Sequence, residues 1–289
     1  MNEPRFATTP PTGRPPGRWQ FPLFLAALAA FIWFRDRAWY AVAADTLPIL
    51  AGFPLMLWLG SPWHLRPAPA LTLAPRWALM GMTLLVAGIL GDLCVVLALA
   101  WCCLLWSWLM PRLEPARRPV MVKLLVLAFL AFPWITLEGE PVGFWFRLTG
   151  TQVAGGLFSA LGLDVVANGT QLRLDGMPID VGAACAGLNA LQAMLLAGGV
   201  LAFLWLGETR RYWGNLLLLV LLAWVANTLR LILVCALGLS LGAEIAGGLV
   251  HVYGGWLVLL LMFMVCVAAF RWQRPPTRSR PGPLTGGAG

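Results

Sequence analysis

Apolar residues run along this chain in long stretches with short polar punctuation between them, at about 21–34, 38–60, 76–91, 93–110, 120–137, 183–206, 213–240 and 248–270. A membrane-spanning helix needs roughly 20 apolar residues. The pattern therefore predicts an all-α integral membrane protein, a polytopic bundle of about eight transmembrane helices with a small extracytoplasmic insertion before the sixth. The first, third and fourth runs are short for a span, and only Gly91-Asp92 divides the stretch 76–110. Three regions follow: an N-terminal tail (1–20), a multi-span membrane domain (21–270) and a basic C-terminal tail (271–289). The N-terminal tail is proline-rich and basic and lacks a small-residue cleavage site after its apolar run, so no removable signal peptide is expected.

Composition agrees with that pattern. The chain is 60% apolar and 11% charged, with a mean hydropathy of +0.79, whereas soluble domains are nearer half apolar and a quarter charged. An ordinary soluble domain, a disordered chain and a disulfide-stapled module are excluded. The net charge of +8 does not indicate nucleic acid, because the basic residues lie between apolar runs and form no single patch. They mark one side of the membrane. Residues 111–123 carry Arg112, Arg117, Arg118 and Lys123 against Glu114, the 207–212 loop carries Arg210 and Arg211 against Glu208, and the C-terminal tail has four arginines and no acid. In an eight-span arrangement these loops share a side with the N-terminus and the 61–76 loop, and basic loops are cytoplasmic. Only the Arg35-Asp36-Arg37 turn runs against the pattern. The expected location is the cytoplasmic (inner) membrane, with both termini cytoplasmic and surrounding lipid as the first partner.

The segment 138–182 then lies outside, where five acids face two arginines. Phe144-Trp145-Phe146 followed by Thr149 to Leu163 reads as a short amphipathic helix at the interface. Alternation at Leu172 and Leu174, with Asn168-Gly169 and Asp175-Gly176 as turns, predicts a small hairpin over Val165 to Ile179.

Six cysteines (94, 102, 103, 185, 235 and 266) contain no CxxC pair, and His64 and His251 are the two histidines, so no metal site or cofactor is expected. Charge inside an apolar run is costly and points to function. Arg230 is such a charge, with Asn227 three residues earlier on the same helical face. Cys185 sits among small residues in Val181-Gly182-Ala183-Ala184-Cys185-Ala186-Gly187-Leu188-Asn189. On a helix starting near 183, Cys185, Asn189 and Gln192 form one polar stripe. The plain alternative is a small-residue packing seam with an inert thiol. His251 opens the last span, followed by Gly254-Gly255-Trp256. Thiol, guanidinium and imidazole come from three spans, all on their outer halves, and together make an acyl-transfer set of nucleophile, oxyanion stabiliser and general base.

Ala184-Cys185-Ala186-Gly187-Leu188, Asn227-Thr228-Leu229-Arg230-Leu231, and His251 with Gly254-Gly255-Trp256 closely resemble the three signature segments of the exosortase/archaeosortase family, over roughly 120–270. Ala186 stands where the commonest form of the motif has serine. The resemblance implies a membrane cysteine protease and transpeptidase, acting at the outer face of the membrane. Its partners would be exported proteins with a C-terminal sorting signal of short motif, apolar helix and basic tail. The family's Cys, Arg and His correspond to Cys185, Arg230 and His251. Asn227, Asn189 and Gln192 would support them.

Depth poses a problem for this set. Counted back from Ser240, Arg230 lies roughly 15 Å below the outer end of its span, and meeting Cys185 requires a helix break at Gly238 or an arginine that snorkels outward. Two other readings exist. Gly238-Leu239-Ser240-Leu241-Gly242 fits G-x-S-x-G, which with His251 suggests a rhomboid-like serine protease, although the motif takes its meaning from a strand-to-helix elbow. A transporter or export-assembly subunit would use Arg230 to bind cargo, and would favour two matching halves with broken spans.

Overall fold

The computed structural model describes residues 19–40, 43–69, 71–180, 186–241 and 251–274. The helices in chain order are α1 (Gln20–Arg35), α2 (Ala43–Gly60), α3 (Pro75–Leu90), α4 (Cys94–Leu109), α5 (Arg118–Met121), α6 (Leu125–Leu130), α7 (Trp134–Glu138) and α8 (Glu140–Ala160). The strands β1 (Val165–Asn168), β2 (Gln171–Leu174) and β3 (Met177–Asp180) follow, and then α9 (Leu188–Leu206), α10 (Arg211–Leu241) and α11 (His251–Gln273). The fold is that of a mostly helical membrane protein. By length and composition α9, α10 and residues 254–273 are long and apolar enough to cross a bilayer, while α1, residues 46–60 of α2, α3 and α4 are shorter apolar helices.

The chain forms two compact units. The first comprises residues 1–36 and 62–118, and its described helices are α1, α3 and α4. Helices α3 and α4 fold back on each other at Gly91-Asp92, where Asp92 has φ +53. They pack close because two glycines face leucines. A Cβ on Gly81 would meet Leu104 Cγ at 2.8 Å, and one on Gly88 would meet Leu97 Cδ2 at 2.8 Å. Trp101 donates its indole N–H to the Leu25 carbonyl at 2.8 Å, which ties α4 to α1.

The second unit, residues 37–61 and 119–289, holds every candidate site residue. Its core joins α8, α9, α10 and α11 through Phe146, Leu191, Met194, Leu219, Leu222 and Met262. The run expected to span at 120–137 is not one helix. It breaks between α6 and α7, because Pro133 has no N–H and its ring opposes the carbonyl four residues back. That carbonyl, of Phe129, accepts instead from the Trp134 indole at 3.0 Å, and the two rings stack with centroids 4.6 Å apart.

The 138–182 segment departs from an all-α description. Its helix, α8, is 21 residues long and packs along α10 rather than forming a short separate interfacial element. The Trp224 indole donates to Thr149 Oγ1 at 2.8 Å, a Cβ on Gly150 would meet Thr228 Oγ1 at 3.4 Å, and Ala154 and Phe158 join Leu231 and Cys235 in a second cluster. These pairings ascend together, so α8 and α10 run in the same direction. The expected hairpin is a three-stranded antiparallel meander, β1-β2-β3. Two-residue connections join the strands, Gly169-Thr170 after the paired Asn168 and then Asp175-Gly176. At the second, Asp175 and Gly176 both have positive φ (48° and 82°), the conformation a tight hairpin turn requires. Leu172 and Leu174, on one face of β2, bury against Phe158 and Leu231.

Candidate functional site

Helix α9 begins at Leu188, five residues later than the expected start at 183. Gly187 caps it with φ +73, and its carbonyl accepts from Leu191 N–H at 2.9 Å. A chain turning through this left-handed conformation stops the helix, since residues with a Cβ pay for it sterically. Of the expected stripe, Asn189 and Gln192 lie on α9, Asn189 exposed and Gln192 buried. Among the described residues the Gln192 amide nitrogen has no acceptor. Cys185 lies outside the described residues, two positions before Gly187.

The described end of that motif is held between two helices. A Cβ on Gly187 would come within 2.6 Å of Asn227 Cγ on α10, and a Cβ on Gly143 of α8 would come within 2.9 Å of Ala186 Cβ. Gly187 is thus required twice, by its φ and by the contact with Asn227. Asn227 is 5% exposed, so its amide is committed to this junction. One turn further along α10, Arg230 lies against the last helix, with its Nε 3.1 Å and its Cζ 3.4 Å from where a Cβ on Gly255 would stand. Gly255 is therefore what allows the guanidinium to lie on α11. His251 opens α11 one turn before Gly255; its backbone is helical, and its side chain is outside the described residues.

Three stretches far apart in sequence thus meet in the second unit: Ala186-Gly187 on Asn227, and Arg230 on Gly255. The sequence singled out Asn227 and Arg230. It did not identify Gly143, Gly187 and Gly255 as the close contacts, because a glycine's use in close packing depends on the neighbour it meets. Of the supporting pair, Gln192 is buried and Asn189 is turned outward.

The helix break considered at Gly238 is not found. Helix α10 continues through Gly238 to Leu241 without a break. Its other end is held by side chains. There Lys123 Nζ donates to the Gly207 and Thr209 carbonyls at 2.6 and 2.7 Å, and the Tyr212 hydroxyl donates to the Lys123 carbonyl at 3.1 Å. From Tyr212, Arg230 is about 27 Å along the helix, at 1.5 Å per residue. That distance compares with a hydrocarbon thickness of about 30 Å. Helix α9, 19 residues long, covers the same distance from Leu206 back to Gly187. The last turns of α10, the second half of α8 and the meander extend beyond that level.

The serine of the G-x-S-x-G match has no elbow. Ser240 is exposed on the continuous helix, and its hydroxyl donates to the Ala236 carbonyl at 3.0 Å. A second arginine shares the level of the junction. Gly143, Arg147 and Gly150 recur at four- and three-residue spacing on one face of α8, where Gly143 meets Ala186 and Gly150 meets Thr228. Arg147 Nη2 pairs with the carboxylate of Glu140, two turns earlier on α8.

A family model described as transmembrane exosortase matches residues 19–268. No curated protein and no solved structure matches the chain.

Proposed function

The chain belongs to the transmembrane exosortase family, and we propose on that premise that it is a membrane cysteine transpeptidase that cuts the C-terminal sorting signals of exported proteins. The observation that carries the proposal is the junction of the three motif segments, with Gly187 against Asn227 and Arg230 against Gly255. In this reading the Cys185 thiolate attacks the scissile carbonyl and His251 takes the thiol proton. Arg230 donates to the oxyanion of the tetrahedral intermediate. The intermediate collapses to a thioester as His251 protonates the leaving amine. An outside amine or alcohol, or water, then attacks the thioester and regenerates the thiol. Asn227 holds the Gly187 turn beside the helix that carries Arg230, and Gln192 and Asn189 stand on the helix that follows the nucleophile.

The proposed topology keeps eight crossings: α1, α2, α3, α4, the interrupted segment α5 to α7, α9, α10 and α11. Both termini are cytoplasmic, and α8 with the meander stands on the outer side. The Lys123 end then faces the cytoplasm, and the length of α10 from Tyr212 carries Arg230 to the outer boundary of the hydrocarbon, where an exported substrate arrives. Residues 120–270 are the catalytic core, and 271–289 form a cytoplasmic tail.

Cleavage of host proteins ending in a short motif, an apolar helix and a basic tail tests the function. Wild-type and Ser240→Ala enzymes should process them, and Cys185→Ala should not. Processing that survives Cys185→Ala would refute the peptidase. Probes reacting from outside with single cysteines placed at 140–175 test the topology, and outside labelling of the 271–280 tail would overturn it.

A further inference from the structure

Arg147 is nearly enclosed, with its side chain 11% exposed, while its partner Glu140 is 62% exposed. That pairing uses Nη2. The Nε–H is buried and has no acceptor among the described residues. Arg118 likewise has a buried Nε without an acceptor among the described residues, whereas Arg112 is fully engaged by carbonyls. Arg112 donates from Nη1 to the Trp108 and Thr72 carbonyls at 2.6 and 2.8 Å and from Nη2 to the Pro69 carbonyl at 2.6 Å, and it lies 4.4 Å over the Trp108 ring. Leaving a buried donor unmade is unfavourable, so an acceptor beyond the described residues is the natural complement to Arg147.

The position of Arg147 says which molecule can bring that acceptor. Arg147 stands on the same face of α8 as Gly143, which meets Ala186, and Gly150, which meets Thr228, by its four- and three-residue spacing from them. The charge says what kind of acceptor it is. Glu140 already neutralises the guanidinium, so a second carboxylate would enter against its repulsion, whereas a neutral carbonyl fits the spare N–H. We propose that Arg147 is a substrate-binding residue whose Nε–H receives a backbone carbonyl of the peptide beside its scissile bond, with Glu140 fixing the guanidinium plane. The proposal rests on the transpeptidase reading and adds a second contact point for the same substrate, separate from the oxyanion.

The test uses the enzyme in nanodiscs and synthetic peptides copied from tails of exported host proteins, each spanning the short motif, the apolar helix and the basic end. With a peptide that the wild-type enzyme cleaves, Arg147→Met should raise KM about ten- to a hundredfold, the effect of losing one charge-assisted hydrogen bond. Its kcat should stay within about threefold, since the contact is the same in ground and transition states. A series of peptides with one amide at a time replaced by an ester, whose carbonyl is a weaker acceptor, adds a measurement on the unaltered protein. One position near the cut should raise KM for wild type and not for Arg147→Met. An unchanged KM in Arg147→Met would overturn the proposal. If that variant does not accumulate, the wild-type ester series decides, and the absence of any sensitive position overturns it. Failure of the wild-type enzyme to cleave any such peptide would bring down the transpeptidase reading itself, and this contact with it.

Discussion

At one end of the second unit Lys123 is 5% exposed, and its ammonium is taken up by the Gly207 and Thr209 carbonyls, with the Tyr212 ring 5.4 Å away. At the other end Arg230 lies along Gly255, and Arg147 keeps a buried N–H without an acceptor among the described residues. Lys123 closes the loop between α9 and α10 and satisfies carbonyls at the end of α9 that the helix itself leaves open. At the far end glycines bring the helices close, and side chains with hydrogen-bonding capacity converge on a chain segment. A buried cation in a membrane protein is therefore not a mark of function by itself. What separates Lys123 from Arg147 is that the ammonium finds its acceptors within the unit, whereas the Arg147 Nε–H finds none among the described residues.

The comparison can be broken most severely at the nucleophile and base. Cys185→Ala, Cys185→Ser and His251→Ala should process no substrate while accumulating normally in the membrane, and the cysteine variants should retain uncleaved substrate in a pull-down. Arg230→Lys comes next. Lysine keeps the charge but not the planar fork, and losing one oxyanion donor costs about 10²–10³-fold in rate. It should fold, bind substrate and turn over at a few per cent of the wild-type rate at most, judged by pulse-chase of a tagged substrate. Near-normal processing would return Arg230 to the same class as Lys123.

Gly187→Ala should lower both activity and stability, because the new methyl meets Asn227 at 2.6 Å in a backbone with φ +73. Overpacking of this kind typically costs about 1–3 kcal/mol, read as a fall in the thermal midpoint of the purified protein. Gly255→Ala is a finer probe. Its methyl would stand 3.1 Å from Arg230 Nε, so the guanidinium must give way by a fraction of an ångström. Displacement on that scale predicts a loss of about tenfold in kcat with the thermal midpoint unchanged. Lys123→Met should have the smallest effect on chemistry. It leaves buried carbonyls unsatisfied, at about 1–3 kcal/mol of stability, yet the specific activity of the folded fraction should match wild type. A drop in specific activity there would show that the two ends are coupled.

The sequence by itself determined the membrane character, because runs of about twenty apolar residues have no other stable destination, and it placed most helix bounds within a few residues. It also singled out Arg230 and Asn227 as candidates for chemistry, since a guanidinium in an apolar run is legible without coordinates. It misjudged the run 120–137, where Pro133 interrupts the helix although every neighbour is apolar, and hydropathy does not register a missing N–H. It started α9 at 183, because small apolar residues look alike inside and before a helix, whereas the positive φ of Gly187 exists only in the folded chain. Only the tertiary structure decided that Gly187 rests on Asn227, that Arg230 rests on Gly255 and that Arg147 shares their level. The contacts of Lys123 with Gly207 and Thr209 and of Tyr212 with Lys123, which hold the other end of α10, were decided there too. Those contacts join residues more than eighty positions apart, a separation at which local pattern carries no information.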